Sequence, residues 1–235
     1  MKNNKISIII KSIAIISSIY GIIKTYQGPM SFTYFTILSN IFVSIILFIF
    51  LIKDLYIHKK DNKYINYLYI TKFIATISIT LTFFVFLTIL APTLEGGVLH
   101  AYLDNGAGSL CVHFITPILA IIDFLFFSKD YKSEKIHSLY ATIPPLLYVL
   151  FIVVGSSLGL RWGTMYAPYN FLNYHAKTGW FGFDLSLFGW ETLGIGVFYM
   201  LVFLSVLFIL IGLLFLYLKD NIGKEKYEST SKILF

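Results

Sequence analysis

The sequence predicts an all-α fold: an integral membrane bundle of about six transmembrane helices, with both termini in the cytoplasm. Three observations lead there. Of the 235 residues, 57% are hydrophobic and only 13% charged, whereas a soluble domain carries about 25% charged residues. The apolar residues gather in six continuous runs, each close to the ~20 residues that span a bilayer as a helix. The lysines gather in alternate loops between those runs. A β-barrel fits badly, because the runs do not alternate apolar with polar residues.

The spans fall at 6–24, 32–52, 68–90, 109–127, 138–158 and 193–218, within a single polytopic membrane domain over residues 1–235. Span one follows Lys2 and Lys5 and resembles a secretory signal. Its apolar run continues to Tyr26, carries Lys11 and lacks a small-x-small cleavage site, so it reads as a retained helix. Span two opens on a polar stretch, Thr33 to Asn40, and stops at Lys53. Span three holds Lys72 near one end. Lys11 and Lys72 are both expected to snorkel toward the nearby interface. Span four carries His113, Pro117 and Asp123. Span five contains Pro144-Pro145, which must interrupt its hydrogen-bond ladder and kink it. Span six ends at a further lysine group, from Lys219 to Lys232.

Orientation follows from those lysines. Lys53, Lys59, Lys60 and Lys63 separate spans two and three, and Lys129, Lys132 and Lys135 separate spans four and five. Residues 91–108 hold no lysine or arginine, and the loop after span five holds only Arg161 and Lys177. The positive-inside rule then puts both ends in the cytoplasm and the first, third and fifth loops outside. The net charge of +6 thus reads as attraction to anionic lipid, with no nucleic-acid partner expected. The expected location is the cell membrane and the expected partners are membrane lipids. An apolar surface faces lipid in a monomer and a dimer alike. The single cysteine, Cys111, rules out an intramolecular disulfide and reads as packing. The fifth loop holds Trp162, Trp180 and Trp190. Its Gly179–Trp190 stretch fits either an outer membrane interface or a cap on the bundle.

Polar residues inside the spans are the informative ones, because hydrocarbon penalises them. Thr36 lies about four residues into span two and His113 about four into span four. Both spans run inward, so both residues lie roughly 6 Å below the outer boundary. Asn40 is one turn below Thr36 on the same face. A hydroxyl and an imidazole at one depth can act as nucleophile and base in acyl transfer. Asn40, with Ser39, can support the oxyanion or the geometry. The plainer reading is that Thr36 bonds its own preceding carbonyl and His113 makes an interhelical hydrogen bond. Asp123 is roughly 15 Å deeper than His113, too far for a third catalytic member, and Lys129 or Lys132 is its expected neighbour. Arg161, the only arginine, is a candidate for binding a substrate carboxylate or a lipid phosphate, or for pairing with Asp184 or Glu191. No H-x-x-x-H or HExxH spacing occurs, so no metal is expected, and the chemistry requires no cofactor.

Three segments together resemble a known family. Phe35-Thr36-Ile37-Leu38-Ser39-Asn40 is similar to the FT-x-x-SN motif of the androgen-induced membrane proteins. His113 to Pro117, with Asp123 after it, resembles their H-x-x-x-P helix. Tyr166 to Asn173 resembles their YPYPFLD loop, with Asn170 in place of the second proline and Asn173 in place of the acidic residue. The resemblance runs from about Phe32 to Asn173 in matching order. It implies a six-pass intramembrane threonine hydrolase acting on fatty-acid esters of hydroxy fatty acids, with Thr36 as nucleophile and His113 as the essential histidine. Two rival classes remain in view. The polar set Thr36, Ser39, Asn40, His113 and Asp123 also suits a small-solute or ion transporter, or a non-enzymatic lipid-binding protein. A reporter fused after Phe235 is expected to be active only in its cytoplasmic form, and an externally accessible reporter there would overturn the topology.

Overall fold

The computed structural model of the protein describes residues 2–56, 62–93, 97–188 and 193–231. Among the described residues, six helical stretches are long and apolar enough to cross a membrane, as an all-α multi-pass membrane bundle requires. The elements are α1 (Lys2–Thr25), α2 (Phe35–Tyr56), α3 (Asn62–Val85), α4 (Gly97–Leu110), α5 (Thr116–Phe127), α6 (His137–Tyr140), α7 (Ile143–Ser157), strands β1 (Phe183–Phe188) and β2 (Leu193–Ile195), and α8 (Val197–Ser231). Contacts divide the chain into two compact units. Unit 1 is Met1–Ala141 with Ile211–Phe235, and unit 2 is Thr142–Leu210.

In unit 1, α1 packs on α2, α4 and α5, while α3 packs on α2 and α5. Helices α1, α2, α3 and α5 therefore close a ring. Helix α1 shows why. Its inner face is Ser7, Lys11, Ala14 and Ser18, all buried, and its outer face is Ile6, Ile9, Ile13, Ile16 and Ile23, all exposed. Small and polar residues recur at i, i+4, i+7 and i+11, which is one helical face. Lipid offers no hydrophobic drive between helices, so small residues and interhelical hydrogen bonds make the contacts. Adjacent serines on α1 do this twice: Ser18 Oγ donates to the Asn40 carbonyl at 3.2 Å, and Ser17 Oγ accepts from Thr116 Oγ1 at 3.1 Å. Helix α3 is the most enclosed span of the six. Its buried Thr76 and Thr80 donate back to the carbonyls four residues earlier, at 2.8 and 2.7 Å, which satisfies hydroxyls where water is absent.

The lysine-rich end of unit 1 departs from expectation. Lys11 and Lys72 do not snorkel outward; each is about 1% exposed. Asp123 stands between them, 2.8 Å from Lys11 and 2.6 Å from Lys72, with no exposure of its own. These two lysines, rather than Lys129 or Lys132, are its partners. Its oxygens meet them as ion pairs without the angles of regular hydrogen bonds. Lys11 also reaches Asp54 at 2.8 Å and the Ser7 hydroxyl, and Lys72 donates to Ser128 at 2.9 Å. Two ammonium groups and two carboxylates thus cancel inside the ring. Snorkelling loses because a buried carboxylate on α5 needs partners more than the lysines need water.

Beside this cluster Tyr131 is buried, and its hydroxyl lies 2.8 Å from His137 Nδ1. Burial pushes the phenol well above its ordinary value, so it stays protonated and donates. The Glu134 N–H donates to the same nitrogen at 3.2 Å.

Three boundaries differ from the sequence reading. The chain after span three is helical again from Gly97, so α4 occupies what reads as an outer loop. Span two forms its helix only from Phe35, after a 3-10 turn over Pro29–Thr33 and an extended Tyr34. Leu193–Ile195 is a strand paired antiparallel with β1, so the sixth helix starts at Val197. Gly194 makes that pairing possible: it has φ +66, and a Cβ there would lie 2.5 Å from the Asp184 carbonyl. The chain turns at residues 141–142, and α7 begins with Pro144 and Pro145 in its first turn, where a missing N–H costs no hydrogen bond.

In unit 2 the Tyr166–Asn173 stretch contains a 3-10 turn at Asn170–Leu172, with the Tyr169 and Phe171 rings 5.4 Å apart. Phe181, Phe183 and Leu185 alternate as exposed residues, and Phe181 lies 5.2 Å from Phe198 at the start of α8.

Replacing Asp123 by Leu would leave two buried ammonium groups facing each other. Loss of about 3–5 kcal/mol is expected, read as a lower unfolding temperature in detergent. Replacing Asp54, Asp123, Lys11 and Lys72 together by apolar residues is expected to cost much less.

A candidate site at two proline-widened turns

Pro117 has no N–H, so the helix before it cannot keep its regular ladder. The backbone answers with a π turn over Cys111–Ile115, in which the Thr116 N–H bonds the Cys111 carbonyl. The Val112 carbonyl then has neither Thr116 nor Pro117 to accept from. Asn40 Nδ2 supplies the missing donor at 3.1 Å. Helix α3 repeats the device. A π turn covers Phe86–Leu90, and the Ala91 N–H bonds the Phe86 carbonyl just before Pro92. Both turns begin six residues ahead of a proline. Phe86 opens the first turn, and its ring stacks face to face on His113 in the second, with centroids 3.7 Å apart and planes 11° apart.

Asn40 also binds on its own helix, where Nδ2 donates to the Thr36 carbonyl at 2.8 Å. One amide therefore ties the backbone of Thr36 to that of the residue before His113. The reverse orientation would aim the amide oxygen at two carbonyls, so the donor assignment is forced by chemistry. Ser39 donates to the same Thr36 carbonyl at 3.0 Å and lies 2.8 Å from Thr82 Oγ1. Gly21 of α1 lets this assembly close: a Cβ there would lie 2.6 Å from Val112 Cγ1 and 2.9 Å from Cys111 Cβ.

Thr36 is the second residue of α2 and half-buried. Among the described residues its hydroxyl has no hydrogen-bond partner. The usual acceptor would be the Phe32 carbonyl, but Tyr34 is extended (φ −83, ψ 137) and breaks the helical path back to it. The back-bonded threonine of ordinary membrane helices is thus not what stands here. His113 makes a hydrogen bond from its ring to the Thr82 backbone, while Nδ1 is buried with no hydrogen-bond partner among the described residues. With the other ring nitrogen donating to a carbonyl, Nδ1 carries the free lone pair. No hydrogen bond joins Thr36 Oγ1 to His113 among the described residues. Such pairs often tighten only around substrate.

Counting residues from span starts does not give the level of these groups, since α2 begins at Phe35 and the helix holding His113 at Gly97. The Asn40 amide shows instead that the backbone at Thr36 and the backbone at Val112 are neighbours. Thr36, Ser39, Asn40 and His113 all lie in unit 1. Arg161 lies in unit 2, where it donates to the Ser156 and Leu160 carbonyls at 2.5 and 2.7 Å and covers the Tyr166 ring at 4.0 Å. Of its expected partners, Asp184 accepts from Ser186 instead, which holds its carboxyl below the usual range. Glu191 lies outside the described residues. Thr82 and Phe86, which orient His113, were not legible as site residues; the X-Pro pair at residues 91–92 was their only signal. Among the described residues no three His, Cys, Asp or Glu side chains gather as a metal ion would need.

No protein-family model, no curated protein and no solved structure matches this chain.

Asn40→Leu keeps the bulk but strands the buried Val112 carbonyl. A loss of about 1–3 kcal/mol is expected, visible as a lower melting temperature. An unchanged melting temperature would show that the amide is not what joins the two helices.

Proposed function

We propose that this chain is a membrane-embedded lipid ester hydrolase, with Thr36 as nucleophile and His113 as base, acting on fatty-acid esters of hydroxy fatty acids. The observation that carries the reading is the presence of two unspent groups on segments that one amide joins. The Thr36 hydroxyl has no partner among the described residues, the His113 Nδ1 lone pair has none, and Asn40 bonds the chain at both segments. The resemblance to the androgen-induced membrane proteins supplies the substrate class.

The steps follow from those groups. His113 Nδ1 takes the Thr36 proton as Oγ1 attacks the ester carbonyl carbon. The tetrahedral intermediate collapses, the bond to the leaving oxygen breaks, and the imidazolium gives its proton to that oxygen. Water then attacks the threonyl ester, with His113 taking and returning a proton, and the fatty acid leaves. The Thr82 carbonyl holds the ring tautomer, the task a carboxylate performs in serine hydrolase triads. Asp123 has no part, since both of its oxygens are committed to lysines. The start of α2 places Thr36 where the helix dipole favours negative charge. Asn40 and Ser39 act as positioning residues, because their donors bond Thr36 and Val112 carbonyls. Arg161, expected to hold a substrate carboxylate, bonds the Ser156 and Leu160 carbonyls and covers the Tyr166 ring within unit 2.

The protein would sit in the cell membrane with its lysine-rich end in the cytoplasm, and substrate would enter sideways from the outer leaflet. A transport path is the second reading, favoured by the charged residues inside the ring. Their mutual neutralisation leaves no unpaired charge to carry an ion.

Purified protein in detergent is expected to cleave a fatty-acid ester of a hydroxy fatty acid. Thr36→Ala and His113→Ala should each lower turnover by at least ~10²-fold with folding intact. Turnover unchanged in both variants would refute the assignment. No turnover together with no fluorophosphonate labelling of Thr36 would move the reading to transport or lipid binding.

A further inference from the structure

Ester attack puts negative charge on the carbonyl oxygen, and a donor aimed at that oxygen usually contributes more than any other single group. The donors nearest Thr36 in sequence are spent. Both N–H groups of Asn40 bond backbone carbonyls, and Ser39 is engaged with the Thr36 carbonyl and Thr82.

Another donor is present, on α4. Tyr102 is 7% exposed, and its hydroxyl is fully buried with no hydrogen-bond partner among the described residues. A phenol without a partner in such a place forfeits a hydrogen bond, which is costly unless something else fills it. Its ring is fixed on the residues that fix the base: it stands edge-on to Phe86 at 5.0 Å and to Phe114 at 6.0 Å. Phe86 is the ring on which His113 stacks, and Phe114 is the next residue after His113. The unpartnered hydroxyl and the unpartnered Nδ1 are thus held by one aromatic group, of which Phe86 and Tyr102 belong to a buried apolar cluster with Ala91 and Ala101. Below Tyr102 the backbone takes φ +66 at Ala107, a conformation that persists in a non-glycine residue only where its surroundings impose it.

We propose that the Tyr102 hydroxyl donates a hydrogen bond to the acyl carbonyl oxygen of the lipid bound at this site, and holds the oxyanion as it forms. The proposal rests on the acyl-ligand reading of the site but not on turnover. The proton stays on the phenol oxygen throughout, so the step consumes nothing.

Tyr102→Phe removes the hydroxyl and keeps the ring on Phe86. The test uses full-length protein in detergent with a long-chain alkyl trifluoromethyl ketone, a carbonyl ligand whose fluorine signal reports binding. Wild type should bind it. Tyr102→Phe should bind at least about tenfold more weakly, the worth of one hydrogen bond, with melting temperature within the wild-type range. If wild type turns over ester, Tyr102→Phe should lower kcat by about 10²–10³-fold and leave KM near its wild-type value. Weakened ketone binding in Tyr102→Phe, with full binding and no covalent adduct signal lost in Thr36→Ala, would keep the Tyr102 assignment and remove Thr36 as nucleophile. Equal ketone binding by wild type and Tyr102→Phe would overturn the assignment, as would no binding by wild type.

Discussion

A carboxylate with no exposure, held between two buried lysines, sets the frame of unit 1. Asp123 on α5 faces Lys11 on α1 and Lys72 on α3, and Lys11 reaches on to Asp54 on α2. Each member of the ring of helices contributes one charged group. Hydrocarbon offers them no water, so removing Asp123 takes from Lys72 its only carboxylate partner among the described residues and from Lys11 one of two. The cluster therefore specifies which four helices are neighbours and in what register. Dispersion between isoleucine faces would not do that, because lipid tails satisfy those faces equally well. The outward isoleucines of α1 and its inward Ser7, Lys11, Ala14 and Ser18 express the same rule along one helix.

At the other end of the ring the controlling fact is a missing N–H. Pro92 and Pro117 each widen the helix before them by one residue. In water the freed carbonyls would be solvated at little cost. Inside a membrane each must find a donor. The Val112 carbonyl finds Asn40, which brings α2 against the helix of His113, while Phe86 of the other π turn covers the His113 ring. A backbone defect thus becomes the device that gathers the candidate site. Among the described residues, Asn40 Oδ1, His113 Nδ1 and the Tyr102 hydroxyl are buried here without hydrogen-bond partners, as is Ser44 Oγ elsewhere on α2. Buried atoms of this kind are rare where nothing is to be bound.

The sequence by itself determined that the chain is an all-α membrane bundle and where most of the six spans lie. Bilayer thickness converts directly into run length, and that information is local. It also marked Thr36, Ser39, Asn40 and His113 as polar exceptions worth explaining. Tertiary structure alone decided which groups they meet. Taken one at a time against water, Lys11 and Lys72 read as snorkelling lysines, whereas their partner Asp123 lies on a third helix. Residues 91–108, rich in glycine, looked like a loop because their turn residues outweigh a short apolar run; α4 and Tyr102 became visible only where Phe86 and Phe114 gave that run something to pack on. Leu193 and Ile195 continued an apolar run in sequence, but Gly194 allowed a pairing with β1 that hydropathy does not encode. Apolarity over twenty residues can be read from the chain because each residue contributes independently. Partnership between polar atoms cannot, because it is fixed by distances between helices that the sequence leaves far apart.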